Sequence, residues 1–241
     1  MYFIFRSHYF FLNFSCIIKG RFLLYKGGKF VNHKKVFSSQ LLESRIGTLT
    51  IEGPMSYEAL LPLSLHEGLK AFRPADQQYD ALLKIAQFPE GRILVARIGQ
   101  LIVGYVTILY PDPLERWSEA KMEELIELGA IEVISDVRGA GVGKSLVRQA
   151  MSDDALEDFI VITTEYYWHW DLKNTGLTVW DYRKMMEKMM NAGGLIEYTT
   201  DDPEIASHPA NCLMARIGSR VSEESIAAFD RIRFYNRYHT S

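Results

Sequence analysis

The stretch from Ile131 to Ser145 most constrains what this chain can fold into. An apolar run, Ile131-Glu132-Val133-Ile134, reads as a strand. It breaks at Ser135-Asp136-Val137-Arg138-Gly139-Ala140-Gly141, and a helix opens near Val142. A strand that ends in a glycine-rich turn and feeds a helix calls for an α/β arrangement. The turn leaves backbone N–H groups unpaired at the positive end of a helix dipole. Its small residues let a ligand approach the main chain, which suits a phosphate or pyrophosphate.

Three known phosphate loops can be compared with it. The nucleoside-triphosphate loop ends as Gly143-Lys144-Ser145 does, but needs glycine five positions before Gly143, where Arg138 stands. A dinucleotide fingerprint starting at Gly139 would need glycine in place of Lys144; starting at Gly141, in place of Leu146. The pattern Arg-x-x-Gly-x-Gly is met at every position by Arg138, Gly141 and Gly143. In this the segment resembles the pyrophosphate loop of the GNAT superfamily of N-acetyltransferases. The plain alternative is an ordinary glycine-rich strand-to-helix turn.

Composition narrows the partners. The chain has 241 residues, 48% of them apolar, enough for one globular domain with an appendage. Five of its 27 basic residues fall in residues 1–30 with no acid, so the other 22 face 30 acidic residues, a charge of −8. A body this acidic offers nucleic acid no electrostatic footprint. Cys16 and Cys212 make no disulfide framework and no metal-ligand spacing, which points to a reducing cytoplasm and no structural metal.

Residues 1–30 break the pattern, with ten of the thirty aromatic residues. Their longest uncharged run, Tyr9–Ile18, falls short of the roughly 20 residues that span a bilayer, so no membrane is expected as partner. Phe14-Ser15-Cys16 lacks the small residues of a signal-cleavage site. Lys26-Gly27-Gly28 is the translation of a bacterial ribosome-binding sequence, and Val31 stands where a GTG start codon would follow. The expectation is a translated leader over 1–30, a lead-in over 31–46, one domain over 47–217 and a C-terminal helix over 218–241.

From Gly47 onward strand and helix signals alternate. A short strand Gly47–Glu52 stops at Gly53-Pro54. Ser56 caps a helix bearing Leu60, Leu61 and Leu63, and Asp76 a second one running to Pro89. Arg92–Ile98 and Leu101–Leu109 flank Gly99-Gln100 as a hairpin. Glu115–Leu128 reads as a charged helical insertion. Past the loop come a helix over Gly143–Met151, a strand at Phe159–Thr163, a helix over Thr178–Asn191 stopped by Gly193-Gly194, strands at Leu195–Thr200 and Asn211–Arg216, and a helix capped at Ser222. This mixed-sheet α/β order is also that of the GNAT acyl-CoA N-acyltransferase fold, here with a C-terminal helix.

Three further stretches are more distinctive than the loop: Tyr110–Glu119, Thr163–Asp171 and Asp201–Cys212. They resemble the acetoin-utilisation protein acetyltransferases of Bacillus-type bacteria, and the likeness runs from about Val36 to the C-terminal helix. Ser135 departs from the family's usual proline. The resemblance implies a lysine acetyltransferase that uses acetyl-CoA to acetylate and inactivate acetyl-CoA synthetase. It also implies that the main chain of Ile131–Ile134, Val133 and Ile134 included, meets the pantetheine arm. Arg138, Gly139, Ala140, Gly141, Val142, Gly143 and Lys144 would then cradle the pyrophosphate.

Lysine, with a pKa near 10.4, needs a base before it can attack a thioester. Glu127 and Glu132 are the candidates, and five residues apart in a regular strand they face opposite sides. Each has a bland reading as an ion-paired or cleft-edge carboxylate. Where many GNAT enzymes place a tyrosine acid before the glycine that ends the late helix, this chain has Met189 and Met190. Tyr166, Tyr167, His169 and Tyr182 are the other acid candidates, and Glu165 is a candidate wall of the lysine channel. The cluster Tyr166–Trp170 reads more simply as a packed or partner-facing surface. Arg231–Arg237 is a basic, aromatic helix end, either solvated or a dock for an acidic face. Two other classes stay open: an acetyl-CoA-sensing module that holds its partner without turnover, and a small-molecule amine acetyltransferase.

Overall fold

The computed structural model describes residues 32–235 and the backbone of Tyr2–Phe3 (β1). The translated-leader reading of 1–30 otherwise lies outside the described residues. In chain order follow Ser38–Ser44 (β2), Gly47–Gly53 (β3), Tyr57–Leu60 (α1), Ser64–Leu65 (β4), Ala75–Ala86 (α2), Arg92–Ile98 (β5), Leu101–Leu109 (β6) and Leu125–Val133 (β7). The second half holds Val142–Met151 (α3), Ile160–Glu165 (β8), Leu172–Thr175 (α4), Val179–Asn191 (α5), Ile196–Tyr198 (β9), Pro203–Ala206 (α6), Cys212–Ile217 (β10) and Glu223–Arg233 (α7). The strands form one mixed sheet in the order β2-β3-β5-β6-β7-β8-β10-β9, with β4 on β6 and β1 on β7.

The fork between β7 and β8 places the site. These central strands pair in parallel only at Leu125–Ile160, Ile126–Val161 and Glu127–Ile162. Opposite β6, Ala130 faces Thr107 and Leu128 faces Ile108, which leaves Gly129 as an extra residue, a bulge. Bulges bend a strand and end its pairing. Beyond this one β7 stays with β6, while β8 goes with β10, where Glu165 lies opposite Cys212.

Helices α3 and α5 pack together on one face. A Cβ on Gly143 would stand 2.7 Å from Met189 Sδ, and one on Gly104 of β6 would meet Leu146 at 3.5 Å. The late-helix Met189 is thus a packing partner of the loop helix. On the opposite face α7 covers a second apolar cluster, Trp117, Leu125, Ile160, Ile162, Leu213, Phe229 and Ile232. Ser222 caps that helix by accepting the Ser225 N–H at 3.2 Å. Arg233 lies over the Tyr198 ring and donates to Thr199 O at 2.6 Å, so it belongs to the fold rather than to a docking surface. Asn236 and Arg237 lie outside the described residues.

Three expectations are corrected. Glu115–Leu128 is not a helix: Arg116–Ser118 makes one 3-10 turn, and Leu125–Leu128 belongs to β7. A turn at Pro113-Leu114, closed by Glu115 N–H to Asp112 O at 2.9 Å, precedes it, and a place between two strands outweighs the helical spacing of its acids. Ser38–Ser44 is no lead-in but a strand paired along β3 from Ser38–Gly53 to Ser44–Gly47. Finally, the bulge undoes the opposition of Glu127 and Glu132. Glu127 lies opposite Leu109 and Glu132 opposite Tyr105, positions four apart on β6, so both face the same side of the sheet.

Candidate active site

Gly139 and Gly141 adopt φ values of +82° and +76°, which glycine reaches without a steric penalty. Gly141 is the residue from which α3 starts, and Ser145 is the first amide of the helix to reach back, to Gly141 O at 2.9 Å. The amides of Val142, Gly143 and Lys144 therefore point out of the helix end. Ala140 N–H bonds weakly to Val137 O at 3.4 Å. Arg138 pairs with Asp171 at 3.2 Å, tying the loop after β7 to the segment after β8. Lys144 stands exposed on the first turn. The loop's outward amides and glycines form a cradle suited to an anion.

Ile134 donates its N–H to Val103 O at 3.0 Å. In an antiparallel ladder the direction alternates, so Ile131 and Val133 turn their N–H and C=O away from β6, into the fork. Among the described residues that edge meets only Tyr2–Phe3, which pairs with Glu132 and Ile131. It accepts an extended chain, as the pantetheine arm of acetyl-CoA would require. The Val133 N–H points into the fork, whereas the donor of Ile134 is used by Val103.

The two carboxylates are in different employment. Glu132 is wholly buried; its oxygens accept Ala71 N–H at 2.8 Å and Tyr105 O–H at 2.9 Å. It fastens the α1–α2 connection to β7. Burial pushes its pKa up to about 7, against these stabilising donors. Glu127 lies at the apex of the fork, also pushed up to about 7, by burial first and then by Asp112. The Thr164 hydroxyl is within hydrogen-bonding reach of both Glu127 and Tyr166. Around them stand Asp112, Glu115, Asp202 and Glu204, all raising the pKa of Glu115 or Tyr166. Glu115 is pushed up to about 10, by burial and then by Glu127, so it holds its proton at neutral pH. Arg116 partly offsets the charge through Asp201 at 2.6 Å and Asp202 at 3.6 Å. Burial likewise raises the Tyr166 phenol, which stays protonated.

Tyr182 and Glu165 lie on the other face. Alternation along β8 turns Glu165 away from Thr164, and Trp170 Nε1 donates to Glu165 Oε2 at 3.1 Å. Tyr182 stacks on Trp170 with centroids 5.1 Å apart and meets the main chain of Asp171. This group braces the Arg138–Asp171 tie. His169 packs edge-on against Tyr166 at 5.8 Å. Tyr167 packs tilted against His208 at 4.1 Å, and His208 stacks toward Trp180 at 6.4 Å. Trp168 and Trp180 remain 42% and 53% exposed beside the fork. Sequence reasoning missed Thr164, Glu115 and Asp112 as site residues. The stretches that carried the resemblance, Tyr110–Glu119, Thr163–Asp171 and Asp201–Cys212, were the signal for these residues, since nothing local links them to Glu127.

Among the described residues no helix is long and apolar enough to cross a membrane, and no group of three acidic, histidine or cysteine side chains is placed to hold a metal.

A fork in a mixed sheet, with outward-pointing helix-end amides on one face and a cluster of carboxylates on the other, is the arrangement an acyltransferase fold would use, and similarity to known proteins supplies the class. Residues 61–175 match the acetyltransferase (GNAT) family. The chain belongs to the GNAT N-acetyltransferases, enzymes that use acetyl-CoA as cosubstrate, and within them to the family of the acetoin utilization protein AcuA. It is 61% identical over 208 residues to AcuA of Bacillus licheniformis, covering 86% of this chain and 99% of that one. AcuA of Bacillus subtilis matches at the same identity and coverage. The crystal structure of the acetoin utilization protein of Exiguobacterium sibiricum superimposes with a TM-score of 0.84 at 53% identity, over 89% of this chain and all (100%) of that one.

Proposed function

We propose that this N-acetyltransferase of acetoin utilisation moves the acetyl group of acetyl-CoA to a lysine side chain of acetyl-CoA synthetase, inactivating it, in the cytoplasm. The observation that carries the reading is the Glu127–Thr164–Tyr166 group in a carboxylate-rich pocket, across the fork from the phosphate cradle. A pocket of that charge suits an ammonium. The donor enters from the α3 face and the lysine from the other.

Glu127 acts as the base. Its pKa of about 7 lets it be ionised at neutral pH while still taking a proton from the amine. The freed nitrogen attacks the thioester carbon, and N–H groups of β7 at the fork are the nearest donors for the developing oxyanion. As the carbon–sulfur bond breaks, the second proton on the attacking nitrogen passes to the departing thiolate, with the Tyr166 hydroxyl as relay. That hydroxyl gives one proton and takes one, so it ends protonated as its raised pKa favours; Glu127 then releases the first proton to solvent. Tyr182 and Glu132 hold the framework and touch no reacting atom in this scheme.

The aromatic surface at Trp168 and Trp180 favours a protein acceptor over a small amine. Purified protein, acetyl-CoA and acetyl-CoA synthetase are mixed, and acetyl-lysine is mapped by mass spectrometry. One lysine acetylated with parallel loss of synthetase activity is expected. Tight binding without acetylation would mean a holding module, and no binding with turnover of free amines would mean a small-molecule enzyme; either outcome overturns the reading.

A further inference from the structure

The hairpin β2–β3 lies along α3, fastened to it at one end and close to the loop that precedes the helix at the other. At the C-terminal end Gln149 Nε2 donates to Ser38 O at 2.8 Å and to Ser38 Oγ at 3.1 Å. At the other end the hairpin turn reaches the phosphate cradle, where a Cβ built on Gly139 would stand 4.0 Å from Nη2 of Arg45. The turn is itself fastened: Ser44 Oγ donates to Gly47 O at 2.6 Å and accepts Ile46 N–H at 3.3 Å. Arg45 is exposed and makes no ion pair or hydrogen bond among the described residues.

A guanidinium on a fastened turn, beside a glycine main chain and outward-pointing amides, has the charge and the donor fork to take a phosphate oxygen. Arg138, the other arginine here, is already engaged by Asp171 at 3.2 Å. The hairpin also lies outside residues 61–175, the part that matches the GNAT family, so this contact belongs to the N-terminal hairpin rather than to the matched region.

We propose that Arg45 completes the donor site by contacting a phosphate of coenzyme A, either the 3′-phosphate or the pyrophosphate. The inference concerns the donor alone and does not depend on which amine accepts the acetyl group. Calorimetric titration of the full chain with coenzyme A and with 3′-dephospho-coenzyme A tests it, on wild type, Arg45→Gln and Arg45→Lys. Arg45→Gln is expected to weaken coenzyme A roughly tenfold or more, the scale of one charge-assisted hydrogen bond, with Arg45→Lys recovering part. The ligand-free melting temperature should not move, because Arg45 is exposed. If the penalty disappears with the dephospho ligand, the partner is the 3′-phosphate; if it persists, the pyrophosphate. Wild-type affinity in Arg45→Gln, or a loss of affinity accompanied by a fall in ligand-free melting temperature, would overturn the proposal.

Discussion

A carboxylate closed off in a sheet either keeps its proton or is matched by donors, and Glu132 does some of each. Its oxygens take the Ala71 amide and the Tyr105 hydroxyl, yet burial lifts its pKa from 4.5 to about 7. The folded protein then binds this proton more tightly than the unfolded chain, so its contribution to stability is full below pH 4.5 and fades as pH rises to 7. Glu132→Gln keeps an acceptor for Ala71 and removes the buried charge. Denaturant unfolding at pH 8 should find it as stable as wild type or more so, with acetylation retained. Glu132→Ala strands both donors and should cost about 1–3 kcal/mol per donor left unpaired. Equal stability of the two variants would contradict this division. At the cradle, Gly141→Val puts a β-branched residue at φ +76° and should weaken coenzyme A binding more than it lowers the melting temperature.

At the scale of elements, the bulge at Gly129 explains both what could be read in advance and what could not. Local rules sufficed where the signal is local. The Gly99-Gln100 hairpin, the Thr178 cap and Gly193-Gly194 stop of α5, and the Arg138–Gly143 loop all lie where residue type and spacing put them. They failed where partners from elsewhere decide. Leu125, Ile126 and Leu128 fit a helix or a strand, and only β6 and β8 on either side make them strand. One inserted residue then turned Glu127 to the face of Glu132, which a regular alternation forbids. The pocket was illegible for a similar reason, because Asp112, Glu115 and Asp202 reach Glu127 and Tyr166 through the fold. The segment after β8 carries its own prediction. Trp168→Ala and Trp180→Ala remove exposed rings beside the fork and should each raise KM for the protein substrate several-fold to roughly tenfold. KM for acetyl-CoA should not change; steady-state kinetics with either substrate varied would show it, and an unchanged KM for the protein would remove the docking role.

Across the whole molecule, the proposed mechanism puts donor and acceptor on opposite faces of the sheet and brings them together where β7 and β8 part. The face proposed for the donor carries α3, α5 and the Arg138–Asp171 tie, so a ligand held there would bridge the elements after both fork strands. Acetyl-CoA at about 100 times its Kd should raise the melting temperature by roughly 5–10 °C, a shift that scanning calorimetry resolves. The same ligand should leave Gly141→Val nearly unshifted. The central claim is that a lysine loses its proton to Glu127 at that fork. The most direct measurement is kcat/KM for acetyl-lysine formation on acetyl-CoA synthetase from pH 5.5 to 9, for wild type and Glu127→Gln. Protonating Glu127 disables the base, so the wild-type rate should fall as pH drops below about 7. Glu127→Gln should lose that limb together with roughly 100-fold or more in rate. A Glu127→Gln enzyme with wild-type rate and the same acid limb would contradict the account.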